Sequence, residues 1–107
     1  MEKRGKKRFL KRLSVRFGDQ KPDRTAFTHD LSSTGIFLKT NFVFIPNTKL
    51  QLELTLPDGK IVHCRGIVMW AKRIPPAFNR VIQKYGMGVH LLEIPDEYKA
   101  LIERLHL

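Results

Sequence analysis

Leu13, Val15 and Phe17 alternate with Ser14, Arg16 and Gly18, and a period of two predicts a strand with one apolar face. Gly18-Asp19-Gln20-Lys21-Pro22-Asp23 is turn material. A second strand is expected from Arg24 to His29, then a turn over residues 30–35, then a third strand from Ile36 to Thr40. Asn41 to Asn47 reads as a connector carrying Phe42, Phe44 and Ile45 and ended by Pro46. The clearest alternation follows: Leu50, Leu52, Leu54 and Leu56 are interleaved with Gln51, Glu53 and Thr55, a half-buried strand with one wet face. Pro57-Asp58-Gly59 closes a hairpin. The fifth strand, Lys60 to about Lys72, is long, and Gly66 in its middle predicts a bulge or bend. Residues 73–84 read as a loop with Pro75-Pro76 and the basic Arg73, Arg80 and Lys84. Tyr85 to Leu91 is a sixth strand whose two glycines leave room for a large neighbour, Trp70 or an aromatic from the connector.

The period then changes. Tyr98, Leu101, Ile102 and Leu105 fall at i, i+3, i+4 and i+7 behind Pro95, Asp96 and Glu97, which predicts a helix with one apolar stripe and an acidic first turn. Its expected task is to plug one end of the strand assembly, with a docking face for a partner as the alternative. Ahead of Leu13 no period is found, and residues 1–8 read as an arm without fixed structure of its own. The expectation is one domain over residues 1–107: arm and linker at 1–12, strands at 13–94, helix at 95–107. Six short strands and a terminal helix make an antiparallel barrel or sandwich.

Composition narrows the class. At 107 residues and 42% hydrophobic content the chain suits one core. No apolar run approaches the roughly 18 residues of a membrane-spanning helix, and the basic N-terminus lacks the apolar stretch of a secretory signal. The lone Cys64 cannot form an internal disulfide, so a reducing, cytoplasmic setting is expected. Its place in a strand points to a buried, inert thiol.

The formal charge of +10 is concentrated at one end. Lys3, Arg4, Lys6, Lys7, Arg8, Lys11, Arg12 and Arg16 face a lone nearby carboxylate, Glu2. Such an arm asks for an anionic partner: nucleic acid, a phosphorylated small molecule or a membrane surface. Enzymatic constellations are thin. His29, His63, His90 and His106 lack metal-ligand spacing, and there is no G-x-S-x-G and no P-loop lysine motif. A catalytic pairing of Asp30 with His29 would need a third group that the sequence does not supply. A binding module is the expectation, with no cofactor and no metal.

The candidate chemistry lies in Asp30-Leu31-Ser32-Ser33-Thr34-Gly35. Asp30 can accept from two N–H donors of a planar base, and Ser32 can donate or accept. Gly35 permits φ > 0 or close approach of backbone. Upstream, Arg4-Gly5-Lys6-Lys7-Arg8 sets two guanidiniums four apart, with Phe9 following. The same spacing recurs at Arg8–Arg12 and Arg12–Arg16. Arg4 and Arg8 are preferred because Phe9 and then Leu13-Ser14-Val15 follow them.

R-x-x-x-R, a spacer and then [D/N]-x-S-x-x-G resembles the PilZ domain, a receptor module for the bacterial second messenger cyclic di-GMP. The resemblance extends to Gly66-Ile67-Val68-Met69-Trp70, to Tyr85-Gly86-Met87-Gly88-Val89 and to the terminal helix. It implies a six-stranded antiparallel β-barrel with a flexible basic N-terminal arm and one C-terminal α-helix. It also implies roles. Arg4 and Arg8 would meet phosphate and guanine O6/N7, Asp30 a guanine N–H edge, and Ser32 would support Asp30 or a phosphate. Gly35 would keep the barrel surface open, and Lys3 and Trp70 would be additional contacts. Lys3 stands where many members carry a further arginine, which leaves one or two ligand molecules per site open. Trp70 reads first as a core residue and second as a stacking platform.

The expected function is thus a cyclic di-GMP receptor or adaptor. It would couple ordering of its arm to an unidentified effector protein in motility, exopolysaccharide, biofilm or virulence control. Two rival readings stand beside it. One is a small barrel that binds single-stranded nucleic acid through charge and stacking. The other is a PilZ-like scaffold that no longer binds nucleotide.

Overall fold

Seven strands and one helix account for the regular structure of this computed structural model, which describes residues 7–73 and 85–107. The strands are β1 (Phe9–Leu10), β2 (Ser14–Gly18), β3 (Arg24–Leu31), β4 (Gly35–Thr40), β5 (Lys49–Thr55), β6 (Ile61–Arg73) and β7 (Tyr85–Leu91), followed by α1 (Asp96–Leu105). The order β3-β2-β5-β6-β7-β4 closes on itself through β3–β4, and every pairing is antiparallel. This is the expected six-stranded barrel with one extra strand and the C-terminal helix. Closure removes the sheet edges that an open sheet of this size would leave unpaired.

The alternating residues do what their period requires. Val15 and Phe17 from β2, Leu50, Leu52 and Leu54 from β5, and Val62, Cys64 and Val68 from β6 all point inward. Tyr98, Leu101 and Ile102 of α1 join them. The helix has no side-chain N-cap, and Asp96 and Glu97 in its first turn complement the dipole instead.

Four features depart from the sequence reading. Fixed structure begins before Leu13: Phe9 and Leu10 pair with Leu31 and Asp30. Phe9 also meets the His106 ring edge-on at 4.8 Å, which braces β1 against the end of the helix. Residues 11–13 between β1 and β2 lie outside the regular ladder, and buried Thr28 bridges the gap. Its hydroxyl accepts from the Leu13 amide (2.7 Å) and donates to the Lys11 carbonyl (2.6 Å).

Secondly, β3 runs through Asp30 to Leu31, so Asp30 stands on a strand and the turn contracts to Ser32–Thr34. Thirdly, the irregularity of β6 lies at Met69, where Val68 faces Val89 and Trp70 faces Gly88. Gly66 keeps regular register with Leu50 on one side and Leu91 on the other. A Cβ there would stand 2.5 Å from Val89 Cγ1 and 3.1 Å from Leu52 Cδ1, so this glycine is required by packing. Lastly, Trp70 lies on the outer face, 39% exposed, and is no part of the core. Most of the expected 73–84 loop falls outside the described residues, while Arg73 ends β6.

Candidate functional site

Two register shifts build the site. On β3, Thr28 faces Leu38 and Asp30 faces Phe37, so His29 is an extra residue with no partner of its own on β4. On β6, Met69 is the extra residue opposite β7. A bulge reverses the inward–outward alternation beyond it. Ala26 and Thr28 point inward, and strict alternation would send Asp30 inward as well. With the shift, Leu31 is buried and Asp30 looks outward. Likewise Val68 is buried, and Trp70 would follow it inward but for the shift at Met69. Both outward-turned side chains line one cleft of about 430 Å³, shared with Arg8, Ser32, Gly35 and Phe37.

The floor of the cleft is held rigidly. Ser32 is 1% exposed, and its amide donates to the Gly35 carbonyl at 2.9 Å. Its hydroxyl accepts from the Gly35 amide at 3.1 Å. Leu91 donates its amide to the Thr34 carbonyl (2.8 Å). From below, the Tyr98 hydroxyl donates to the Ser32 carbonyl at 2.7 Å. Burial, the largest cause, raises the Tyr98 phenol well above its ordinary value, so it stays a proton donor. Ser32 therefore serves the turn, in the manner of a Ser turn joining two strands. Gly35 owes its identity to close approach, since a Cβ would sit 2.9 Å from the Val89 carbonyl oxygen.

Above that floor, Asp30 is held by both carboxylate oxygens. Arg8 donates from Nε to Oδ1, and the His29 Nδ1 lies 2.9 Å from Oδ2. The Arg8 side chain remains 46% exposed and that of Asp30 14%. One of the two arginines of the proposed motif thus reaches the carboxylate directly. Arg4 and Lys3 lie outside the described residues. Arg12, from the alternative register, stacks instead over Phe27 with its guanidinium carbon 4.0 Å from the ring centroid. It lines a separate groove with Lys11, His29 and Lys39.

The opposite wall is aromatic. Trp70 lies across β7 at Gly88, where any Cβ would overlap the indole, and meets Phe37 edge-on at 5.1 Å. Phe37 in turn packs on His29 at 5.2 Å. Room for Trp70 beside the glycines is legible in the sequence, whereas Phe37 and His29 are not among its candidate site residues. The signal for His29 was present: apolar burial at Ala26 and then at Leu31 breaks a period of two, which is the mark of an inserted residue.

Gly88→Val should push the indole off the strand. Overpacking of this kind costs about 1–3 kcal/mol. Since Trp70 is the one tryptophan, the expected result is a red-shifted emission maximum together with a lowered thermal midpoint, read in one fluorescence melt.

Elsewhere the chemistry is quiet. Cys64 is buried, and burial first and the Glu93 charge second push its thiol up to about 11. Among the described residues no cluster of three His, Cys, Asp or Glu side chains could hold a metal ion. No helix among them is long and apolar enough to cross a membrane.

No curated protein gives a significant match to the chain. Among solved structures, the Bacillus subtilis inhibitor of motility (MotI/DgrA) superposes with a TM-score of 0.79 over 99% of this chain at 18% identity. This chain spans 51% of that protein's length, so the likeness speaks for the fold. The PilZ domain family model matches residues 2–106. Matched over nearly its whole length by that model, and carrying the six-stranded barrel with its C-terminal helix, this chain belongs to the PilZ domain family.

Proposed function

We propose that this domain is a cyclic di-GMP receptor that couples ligand-induced ordering of its basic arm to a partner protein. The observation that supports it best is the meeting of Arg8 with Asp30 at the mouth of a cleft walled by Trp70. A guanine base offers N1–H and its amino group along one edge and O6 and N7 along another. A carboxylate matches the first edge and an arginine fork the second. Arg4 joins Arg8 on the phosphates and on O6/N7, with fork geometry that lysine lacks. Lys3 adds charge to the same arm. Ser32 and Gly35 fix the surface on which Asp30 stands, and Trp70 offers a face to a base.

Binding exchanges the Arg8–Asp30 contact for contacts of each with the ligand. The residues ahead of β1 are drawn over the cleft in the process, and ordering them costs free energy that several charge-assisted bonds offset. A segment that moves with ligand can cover or reveal a face for an effector protein. Control of motility, exopolysaccharide, biofilm or virulence is the class of output this implies.

Calorimetric titration with cyclic di-GMP tests the reading. Saturable binding at micromolar or lower concentration is expected, about −8 kcal/mol or better, with new amide-exchange protection in the arm. Lys11→Ala, in the neighbouring groove, should leave the affinity nearly unchanged. No heat at ~100 µM ligand, where a complex of useful affinity would be formed, leaves the nucleic-acid or scaffold readings.

A further inference from the structure

We infer that His29 is a positioning residue of the ligand site: its Nδ1–H holds Asp30 Oδ2 and so sets the plane of the carboxylate for the incoming base. The ligand in this statement rests on the cyclic di-GMP reading above. The placement begins with the backbone. Adjacent residues of a regular strand point to opposite faces, and His29 could not then touch the Asp30 side chain. The register shift between Thr28 and Asp30 makes His29 the inserted residue, and bulges re-aim side chains in this way. The imidazole Nδ1 lies 2.9 Å from Asp30 Oδ2 as a result.

The ring has a second support and one open side, its side chain being 37% exposed. Phe37 packs against it with centroids 5.2 Å apart, and the ring lines the groove that also holds Lys11 and Lys39. An imidazole bonded through one nitrogen to a carboxylate has its tautomer set by that bond. Here the proton belongs on Nδ1. Each carboxylate oxygen accepts about two hydrogen bonds. Arg8 takes one site on Oδ1 and His29 one on Oδ2. One site on each oxygen stays open, and two parallel acceptors are what the N1–H and amino donors of guanine require. Without His29 the carboxylate is free to rotate about its terminal torsion, which is soft.

The test has two arms on the full chain. Nitrogen-15 spectra of the imidazoles in the ligand-free protein should show His29 with its proton on Nδ1, and Asp30→Asn should change that pattern. Cyclic di-GMP titrations then compare variants of matched thermal midpoint. His29→Leu should bind about 10-fold more weakly, the size of one lost hydrogen bond. His29→Asn, whose side-chain N–H can take the place of Nδ1–H, should recover affinity to within ~3-fold of wild type. An Nε2–H tautomer overturns the proposal from the ligand-free protein alone. So does wild-type affinity in His29→Leu, or an Asn variant as weak as the Leu variant. Absence of binding by the wild type, with the Nδ1–H tautomer present, overturns the ligand reading and removes the role while leaving the contact.

Discussion

Asp30→Ala reduces cyclic di-GMP affinity by ~100-fold or more while leaving the folded barrel intact, since two hydrogen bonds to a charged group are lost at about 1.5–3 kcal/mol each. The size of the loss follows from what stays behind. A bound guanine would still carry two donors facing a cleft that no longer answers them, and sites built to pair polar groups reject poorly matched ones strongly. Arg8→Ala should lose a similar amount, and Arg8→Lys should recover little of it, because a lysine point charge lacks the paired donors of the fork.

The folded state is expected to tolerate these changes. An ion pair whose arginine is 46% exposed contributes at most about 1 kcal/mol to stability. A nearly unchanged melting curve therefore accompanies the collapse in affinity, and the two together separate a binding defect from misfolding. Because binding exchanges the Arg8–Asp30 contact for separate ligand contacts, each single variant is spared the breaking of that pair, and the double variant should lose at least the sum of the two single losses. A double variant no weaker than either single one would mean that the two residues hold the ligand only as a pair.

How far this arrangement was readable from residues alone depends on the kind of contact. The period of Leu50, Leu52, Leu54 and Leu56 gave β5 and its inward face directly, because alternation is a local property. The helical stripe of Tyr98, Leu101 and Ile102 was equally plain. Asp30, Ser32 and Gly35 were found as a motif, but their division of labour was not. Ser32 and Gly35 shape the turn, while Asp30 sits two residues before Ser32, on β3, and faces the cleft.

The register shifts at His29 and Met69 escaped notice because a bulge is settled by pairing with a distant strand. Gly66 drew the prediction of a bend since glycine is the usual local marker of one. Its true cause was Val89 and Leu52 pressing from across the barrel. Trp70 was misplaced for the same reason: its face depends on an inserted residue one position before it.

The second large effect lies beneath the site. Among the described residues Tyr98 is the largest fully buried side chain, and its hydroxyl donates to the Ser32 carbonyl at 2.7 Å and approaches that of Gly35 at 3.4 Å. Tyr98→Ala should cost about 3–5 kcal/mol by leaving a cavity between helix and barrel. That is a large share of the ~5–15 kcal/mol that holds a domain together, so a substantial unfolded fraction is expected in urea titrations well below the wild-type midpoint. Tyr98→Phe keeps the ring and removes one donor. It should cost about 1–2 kcal/mol, the penalty for a buried carbonyl left without its partner.

The pair of variants separates two tasks of the helix. If α1 only fills the barrel end, the Phe variant binds ligand as well as the wild type at temperatures where it is folded. If the phenol also pins the turn that carries the cleft floor, the folded Phe variant binds cyclic di-GMP several-fold more weakly. The bond from Tyr98 to Ser32 spans 66 residues of chain and ends at the first residue of the turn, with the Gly35 carbonyl also 3.4 Å from the phenol, which favours the second outcome. The docking of the ten-residue helix α1 and the shape of the site are then one property, measured in the same titration.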